Sequence, residues 1–427
     1  MVPECWKVVE IGQCLSLLKS GLSRQLSNDD IGIPVIRSGN MSDQDVDFSD
    51  LKFWYIDDPQ GANTQSYILD DGDLLINFIN SPSQIGKSCL FKNKIGRPCI
   101  YTTNILRAKA KIDGQYLFYT TKTKQYNDYI QSITKPAVNQ ASFTTADFKK
   151  YKFPLPPHNE QRKIAQILFT WDKSIATTEQ LLANSQQQKK ALMQQLLTGK
   201  KRLLDNNRIK SRVSKTPYAT LPSDWGEISM EEVSSFITKG ATPTTYGFDW
   251  QDTGIPFLRS ECVGEDGFKE SGLAFICDEA HEAMKRSKVF TGDLLITITG
   301  NVGRVCKLPE HICEANINQH IAKITLNPQQ VNTDFIYHCL RDIKYRNYFE
   351  RITTGQAYPQ ISLVQVRDVW IPLPSREEQQ KIANVLSIAD QQITTLQQKL
   401  AALKQEKQAL MQQLLTGKRR VKVEEAA

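Results

Sequence analysis

The stretch PLPPHNEQRKIAQILFTWDKSIATTEQLLANSQQQKKALMQQLLTGKKR, beginning at Pro154, returns as PLPSREEQQKIANVLSIADQQITTLQQKLAALKQEKQALMQQLLTGKRR, beginning at Pro372. The two copies align without a gap and are identical at more than half their positions. ALMQQLLTGK is identical throughout (Ala191 to Lys200, Ala409 to Lys418). An internal repeat of this kind organises the whole chain and is read before any single motif. Weaker echoes precede each copy. Val2-Pro3 with Trp6 matches Leu221-Pro222 with Trp225, and GIPVIRS (Gly32 to Ser38) matches GIPFLRS (Gly254 to Ser260). GDLLI occurs at Gly72 and at Gly292, and Gln140-Ala141 matches Gln356-Ala357. The chain is two tandem units of about 210 residues, each a divergent globular part followed by a closely similar segment.

The similar segment reads as helix. Ile393, Leu396, Leu400, Leu403, Lys407, Leu410 and Leu414 are spaced alternately three and four apart, a heptad seam. Ile175, Thr178, Leu182, Ser185, Lys189, Leu192 and Leu196 hold the same register in the first copy. Ser375 with Glu378 predicts a capping box and Pro157 suits a first turn, while Gly199 and Gly417, each followed by basic residues, end the helices. About 40 residues at 1.5 Å each make a rod of roughly 60 Å. An apolar seam left wet needs a partner, and each copy is the other's nearest one. The first seam, diluted by Thr178, Ser185 and Lys189, favours the richer second seam over itself. Heptads alone do not fix direction; a whole domain between the helices is compatible with antiparallel packing and a pseudo-twofold molecule. Ile164, Leu168, Ile382 and Leu386 extend the helix-pairing and docking set.

The globular parts read as α+β. LLINFI (Leu74 to Ile79), DLLITIT (Asp293 to Thr299) and HIAKITL (His320 to Leu326) are short apolar or β-branched runs, with helical stretches such as TDFIYHCLRDIKYRNYF between or after them. DNNRIKSRVSKTPYAT (Asp205 to Thr220) is polar and aperiodic, and reads as a linker.

The 427 residues, 40% hydrophobic and 23% charged, are of ordinary globular composition. A net charge of +7 permits a nucleic-acid partner without demanding one. The sequence offers no apolar run of membrane-spanning length and no secretory start. Nine cysteines without a CxxC pair argue against a disulfide framework or a zinc ribbon. A cytoplasmic protein without a metal site is expected.

Two fragments imitate an ATPase: SPSQIGKS (Ser81 to Ser88) and LAFICDEAH (Leu273 to His281). A phosphate loop needs Gly at the position of Ser81, and the other unit carries TGNVGR at the corresponding turn. No Asn/Asp-Pro-Pro-aromatic tetrapeptide of an adenine methyltransferase is present, and the histidines are not in metal-ligand spacing. No catalytic constellation emerges, and what remains is binding. Arg37 with Ser38 and Arg259 with Ser260 stand at strand ends, and Lys87 and Arg304 follow glycine turns. Such residues suit phosphate contacts or bidentate reading of guanine, and Asn77, Asn301, Asn318 and Gln360 are amides of the type that reads adenine. Arg97 and Tyr358 complete the candidate DNA-binding set. Matching positions serve equally well as framework, because reading two different half-sites requires readers that differ.

With these residues in view the chain resembles the specificity subunits of type I restriction–modification systems. The carriers are the paired PLP-x-x-x-EQ-x-K/R-IA-x-x-L starts, with Glu160, Gln161, Ile164 and Ala165 matching Glu378, Gln379, Ile382 and Ala383, and the paired LMQQLLTGK ends. The GIPxxRS and GDLLI strands and the GQAYPQI loop (Gly355 to Ile361) add to them; unit one has NQASF (Asn139 to Phe143) instead of that loop. The resemblance implies two α/β target recognition domains in tandem, each followed by a long helix, the two helices packing as an antiparallel coiled coil. The expected division is 1–153 recognition domain one, 154–203 helix one, 204–219 linker, 220–371 recognition domain two, 372–418 helix two and 419–427 tail. It also implies a non-catalytic chain that binds a bipartite site on double-stranded DNA and docks two methyltransferase and two motor-nuclease subunits. S-adenosylmethionine, ATP and magnesium would belong to those partners. An ATP-dependent DNA motor, a scaffold that does not read DNA, and the specificity chain of an enzyme whose other subunit fuses methylation and cleavage are the alternatives.

Overall fold

A computed structural model describes residues 2–137, 140–204, 210–355 and 358–422. Asn139 of the NQASF stretch, Gln356 and Ala357 of the GQAYPQI loop, linker residues 205–209 and tail residues 423–427 lie outside the described residues.

The repeated segments form two long helices, α1 (His158–Leu196) and α2 (Arg376–Leu415). Gly199 and Gly417, just beyond their ends, have φ of +67° and +74°, the left-handed conformation that closes a helix. The chain divides into two compact units, Met1–Glu179 with Gln398–Ala427, and Gln180–Gln397. Each unit therefore contains one globular part, the first half of the helix that follows it and the second half of the other helix. This grouping differs from a division taken in chain order, because helix halves group with whatever covers their apolar seams.

In unit 1 an antiparallel sheet runs in the order Leu15–Ser20, Ile105–Ala110, Leu74–Asn77, Ser88–Leu90. LLIN is buried along its length, as a continuous apolar run requires. Leu74 and Ile76 face a core with Tyr116, Leu117, Tyr126, Phe148, Ile164 and Leu168, and Leu414 and Leu415 of α2 close it. Leu75 faces a second core with Ile36, Cys89, Tyr101 and Ile105. A smaller sheet, Lys52–Trp54, Ile33–Ile36 and Ile100–Tyr101, contains one parallel pairing.

Unit 2 repeats the plan with Ser234–Lys239, Ile321–Leu326, Leu294–Thr297 and Val305–Lys307. Leu294 and Ile296 meet Phe335, Ile336, Tyr345, Ile382 and Leu386, closed by Leu196 at the end of α1 and Leu197 just beyond it. Leu295 faces Leu258, Cys306 and Ile317 on the other side. In each unit a two-stranded ribbon ties the start of the globular part to the strand entering the long helix: Lys7–Glu10 with Lys152–Leu155, and Gly226–Ser229 with Trp370–Leu373.

The second half of the stretch read as a linker is ordered. Ser211–Val213 pairs with Thr220–Pro222, and Glu227 accepts from the Arg212 guanidinium and from Ser214 Oγ and the Lys215 N–H. Three local donors converging on one carboxylate order a segment that has no apolar period. The capping box is half made as well. Ser375 Oγ accepts the Glu378 N–H, but the Glu378 carboxylate is engaged elsewhere.

Candidate nucleic-acid interface

The paired EQ dipeptides form junctions that tie each globular part to both helices. Glu160, 2% exposed, accepts the indole N–H of Trp6 at 3.0 Å and a two-pronged pair from Arg420 at 2.6 and 2.9 Å. In unit 2 Glu378 accepts from Trp225 at 3.2 Å and from Arg202 at 2.7 Å through both nitrogens. The carboxylate bonds hold both guanidiniums above their ordinary range. The neighbouring glutamines repeat the correspondence. Gln161 Oε1 accepts the Asp113 N–H while its amide donates to the Pro156 carbonyl, and Gln379 does the same with Asn332 and Pro374.

Further along, buried Asp172 takes the Lys407 amine, the Tyr119 hydroxyl at 2.6 Å and the Gln44 amide at 2.8 Å. Asp390 takes Lys189 and, at 3.4 Å, Arg341. Partner numbers fall along α2 as they rise along α1 in both units (Glu160 with Arg420, Asp172 with Lys407; Arg202 with Glu378, Lys189 with Asp390), so the paired helix halves run antiparallel. Lys189, read from the sequence as diluting the first seam, and Lys407, read as a position of the second, each make an ion pair with an aspartate of the opposite helix. Their signal was available: both lysines and both aspartates are identical in the two copies, where many neighbours differ.

Ile164, Leu168, Ile175, Leu196, Ile382, Leu386 and Leu414 are buried, while Leu182, Leu192, Ile393, Leu400 and Leu410 are half-buried along the same stripes. The DNA-binding candidates fare unevenly. Asn77 is fully buried at a strand end and Asn318 is buried with its side-chain oxygen on the His320 N–H. Asn77 matches Thr297 of unit 2 in position, and the LLIN and LLIT strands that carry them are buried along their length. Arg97 is held by both Asp30 oxygens and the Gly32 carbonyl. Arg37 binds Asp50 at 2.8 Å, Lys87 lies 3.3 Å from Asp43, and Arg304 lies 3.5 Å from Glu265. Arg259 makes one contact, to the Gly272 carbonyl at 3.0 Å, and is exposed, with Ser260 beside it half-buried, as is Ser38 beside Arg37. Asn301, Tyr358 and Gln360 are exposed; the Gln360 backbone bridges to Thr299 and Thr354.

The ATPase-like fragments do other work. In SPSQIGKS the N–H groups of Gln84, Ile85, Gly86 and Lys87 donate to carbonyls of Ser81, Asn77 and Gln84. They are not directed at a common anion, as a phosphate cradle requires. Asp278–Ala283 is a six-residue helix whose His281 is buried against Asn316. Among the described residues no group of three or more His, Cys, Asp or Glu could hold a metal, and no helix is long and apolar enough to cross a membrane.

Two like units, each an α/β body clamped to an antiparallel helix pair, define a tandem recognition architecture. The family model for the type I restriction modification DNA specificity domain matches residues 3–184 and again 222–405, and the chain belongs to that family. It is 30% identical to the MjaX type I restriction enzyme specificity subunit of Methanocaldococcus jannaschii over 99% of this chain and 95% of that one. The MjaVIII specificity subunit of the same organism is 24% identical over 99% and 94%, and the EcoBI subunit of Escherichia coli 28% identical over 54% and 49%. The fold is that of the type I S subunit from M. genitalium, at a TM-score of 0.63 and 13% identity, covering 97% of this chain and 96% of that one.

Proposed function

We propose that this chain is the DNA-reading, non-catalytic specificity subunit of a type I restriction–modification complex. Recognition domains 1–153 and 220–371 each read one part of a bipartite target on double-stranded DNA. The helical segments 154–203 and 372–418 dock two methyltransferase subunits and, where present, two motor-nuclease subunits. S-adenosylmethionine, ATP and magnesium are then held by those partners.

One observation carries this reading. The framework contacts of the two units coincide, while the polar groups at other matching positions differ: Arg37 is tied to Asp50 where Arg259 is exposed. Asn127 of unit 1 faces a polar cavity, and its unit-2 counterpart Arg346 binds Glu265 at 2.9 Å. A common body with divergent rims is what two readers of different sequences need, since base contacts specify and framework contacts position.

The test uses a methylation-free host carrying the partner methyltransferase, with and without this chain, and maps modified adenines across the genome. A new two-part motif with a fixed internal gap, found only with the chain, is expected. Modification that does not depend on the chain, or none from an assembled complex, would replace this reading with that of a scaffold.

A further inference from the structure

Each unit has a groove between its recognition-domain helices and the second half of the opposite repeat helix, and the two grooves differ in charge. In unit 1 a cavity of about 470 Å³ is lined by Lys122, Lys124, Lys404, Lys407 and Lys418. Its lining contains no carboxylate. Phe153, Met411 and Leu415 supply an apolar floor. At the equivalent place in unit 2, a cavity of about 370 Å³ sets Lys189, Lys190 and Arg341 against Asp266, Asp342 and Asp390. Groove 2 balances its charges within its own lining; in groove 1 the lining is cationic alone, and the carboxylates that pair with three of its five lysines lie outside it.

The amines of groove 1 are available to different degrees. Lys407 is held by Asp172 behind the groove. Lys404 and Lys124 make exposed pairs with Glu179 and Asp128, and such pairs contribute little and exchange readily. Lys122 donates to the Ser88 carbonyl, and among the described residues neither it nor Lys418 has a carboxylate partner. Burial pulls the Lys122 amine down to about 8, so an arriving carboxylate would favour its charged form. Concavity, an apolar floor and a cationic rim suit a side chain flanked by carboxylates better than the convex, wholly polar backbone of a duplex.

We infer that groove 1 is a docking site for an acidic peptide segment with an apolar anchor, supplied by a partner subunit. The inference rests on the proposed function, which requires that partner subunits bind this chain. Groove 2 has no such preference, so the two units present unlike surfaces.

The experiment couples carboxylates to touching amines with a zero-length carbodiimide in the complex of the full chain with its methyltransferase partner, and maps the joined peptides by mass spectrometry. Coupling of Lys124, Lys404 or Lys418 to Asp or Glu of the partner is expected. The exposed triple reversal Lys124→Glu, Lys404→Glu, Lys418→Glu should weaken partner binding about ten-fold or more at low salt. An unchanged circular dichroism spectrum and thermal midpoint would establish that the reversal variant folds. An intact complex in which these lysines couple only within their own chain overturns the docking site alone. So does a reversal that spares partner binding and weakens DNA binding, which would make the groove a phosphate contact. A native chain that forms no complex overturns the proposed function, and the docking site with it.

Discussion

His338 shows what one side chain does when two copies of a plan diverge. It occupies the place of Tyr119, whose hydroxyl donates to Asp172, but its ring lies 3.8 Å from Asp390 and contacts Ser387 at 3.1 Å. Burial holds its imidazole down to about 3, from an ordinary value of 6.5. The unfolded chain therefore binds one more proton than the folded one between those values, and stability falls as pH drops through that window. The slope from this group is at most about 1.4 kcal/mol per pH unit. Urea titrations from pH 6.5 to 4.5 should give a shallower dependence for His338→Gln than for the native chain; equal slopes would show that the ring is protonated in the fold. Gly303 has φ +81°, and a Cβ there would lie 2.9 Å from that of Phe349. Gly303→Ala should cost about 2 kcal/mol in the same assay, combining strain with overpacking. On the DNA side, Arg259→Ala should alter or weaken the half of the methylation motif read by unit 2. Arg97→Ala, which removes a guanidinium already held by Asp30, should leave the motif unchanged. Arginine type and strand-end position were legible in the sequence; the counter-charge that holds Arg97 lies 67 residues away and was not.

The helices were the most legible elements, because a heptad repeat is a local property and its two copies check each other. Their pairing was only partly legible. The lysines within the seams have partners on the opposite helix, a long-range fact, and Lys407–Asp172 and Lys189–Asp390 are the same interaction made twice. Lys407→Met should destabilise unit 1 by about 3 kcal/mol, since it leaves a buried carboxylate short of its counter-charge. Adding Asp172→Asn should recover much of that loss, as measured by urea denaturation; a double variant no better than the single would mean that the pair is not the source. The identity of ALMQQLLTGK has a physical reason at this scale too. Leu196 and Leu197 close the core of unit 2, and Leu414 and Leu415 close that of unit 1. Each buried leucine contributes roughly 1.5–3 kcal/mol, and the same docking surface must be met twice.

For the whole molecule, the proposed function makes helix length a determinant of the target. Inserting about one helical turn into both α1 and α2 adds about 5.4 Å to each and should lengthen the internal gap of the methylated motif by one or two base pairs, with both half-sites retained. Adenine mapping would read this directly, and an unchanged gap would show that the helices do not set it. The sequence by itself determined the duplication, the two long helices, the α+β character of the divergent parts and the kinship those features carry. All of these rest on local period or on comparison of one copy with the other. The tertiary structure alone decided that each compact unit takes its helix halves from both repeats, that a lysine and an aspartate far apart in the chain pair with each other, and that Asn77 and Asn318 are buried. It also decided that one groove is cationic and the other self-neutralised. Those outcomes depend on which groups come within a few ångströms once the chain is folded, and charge pairing and burial carry no period along the sequence.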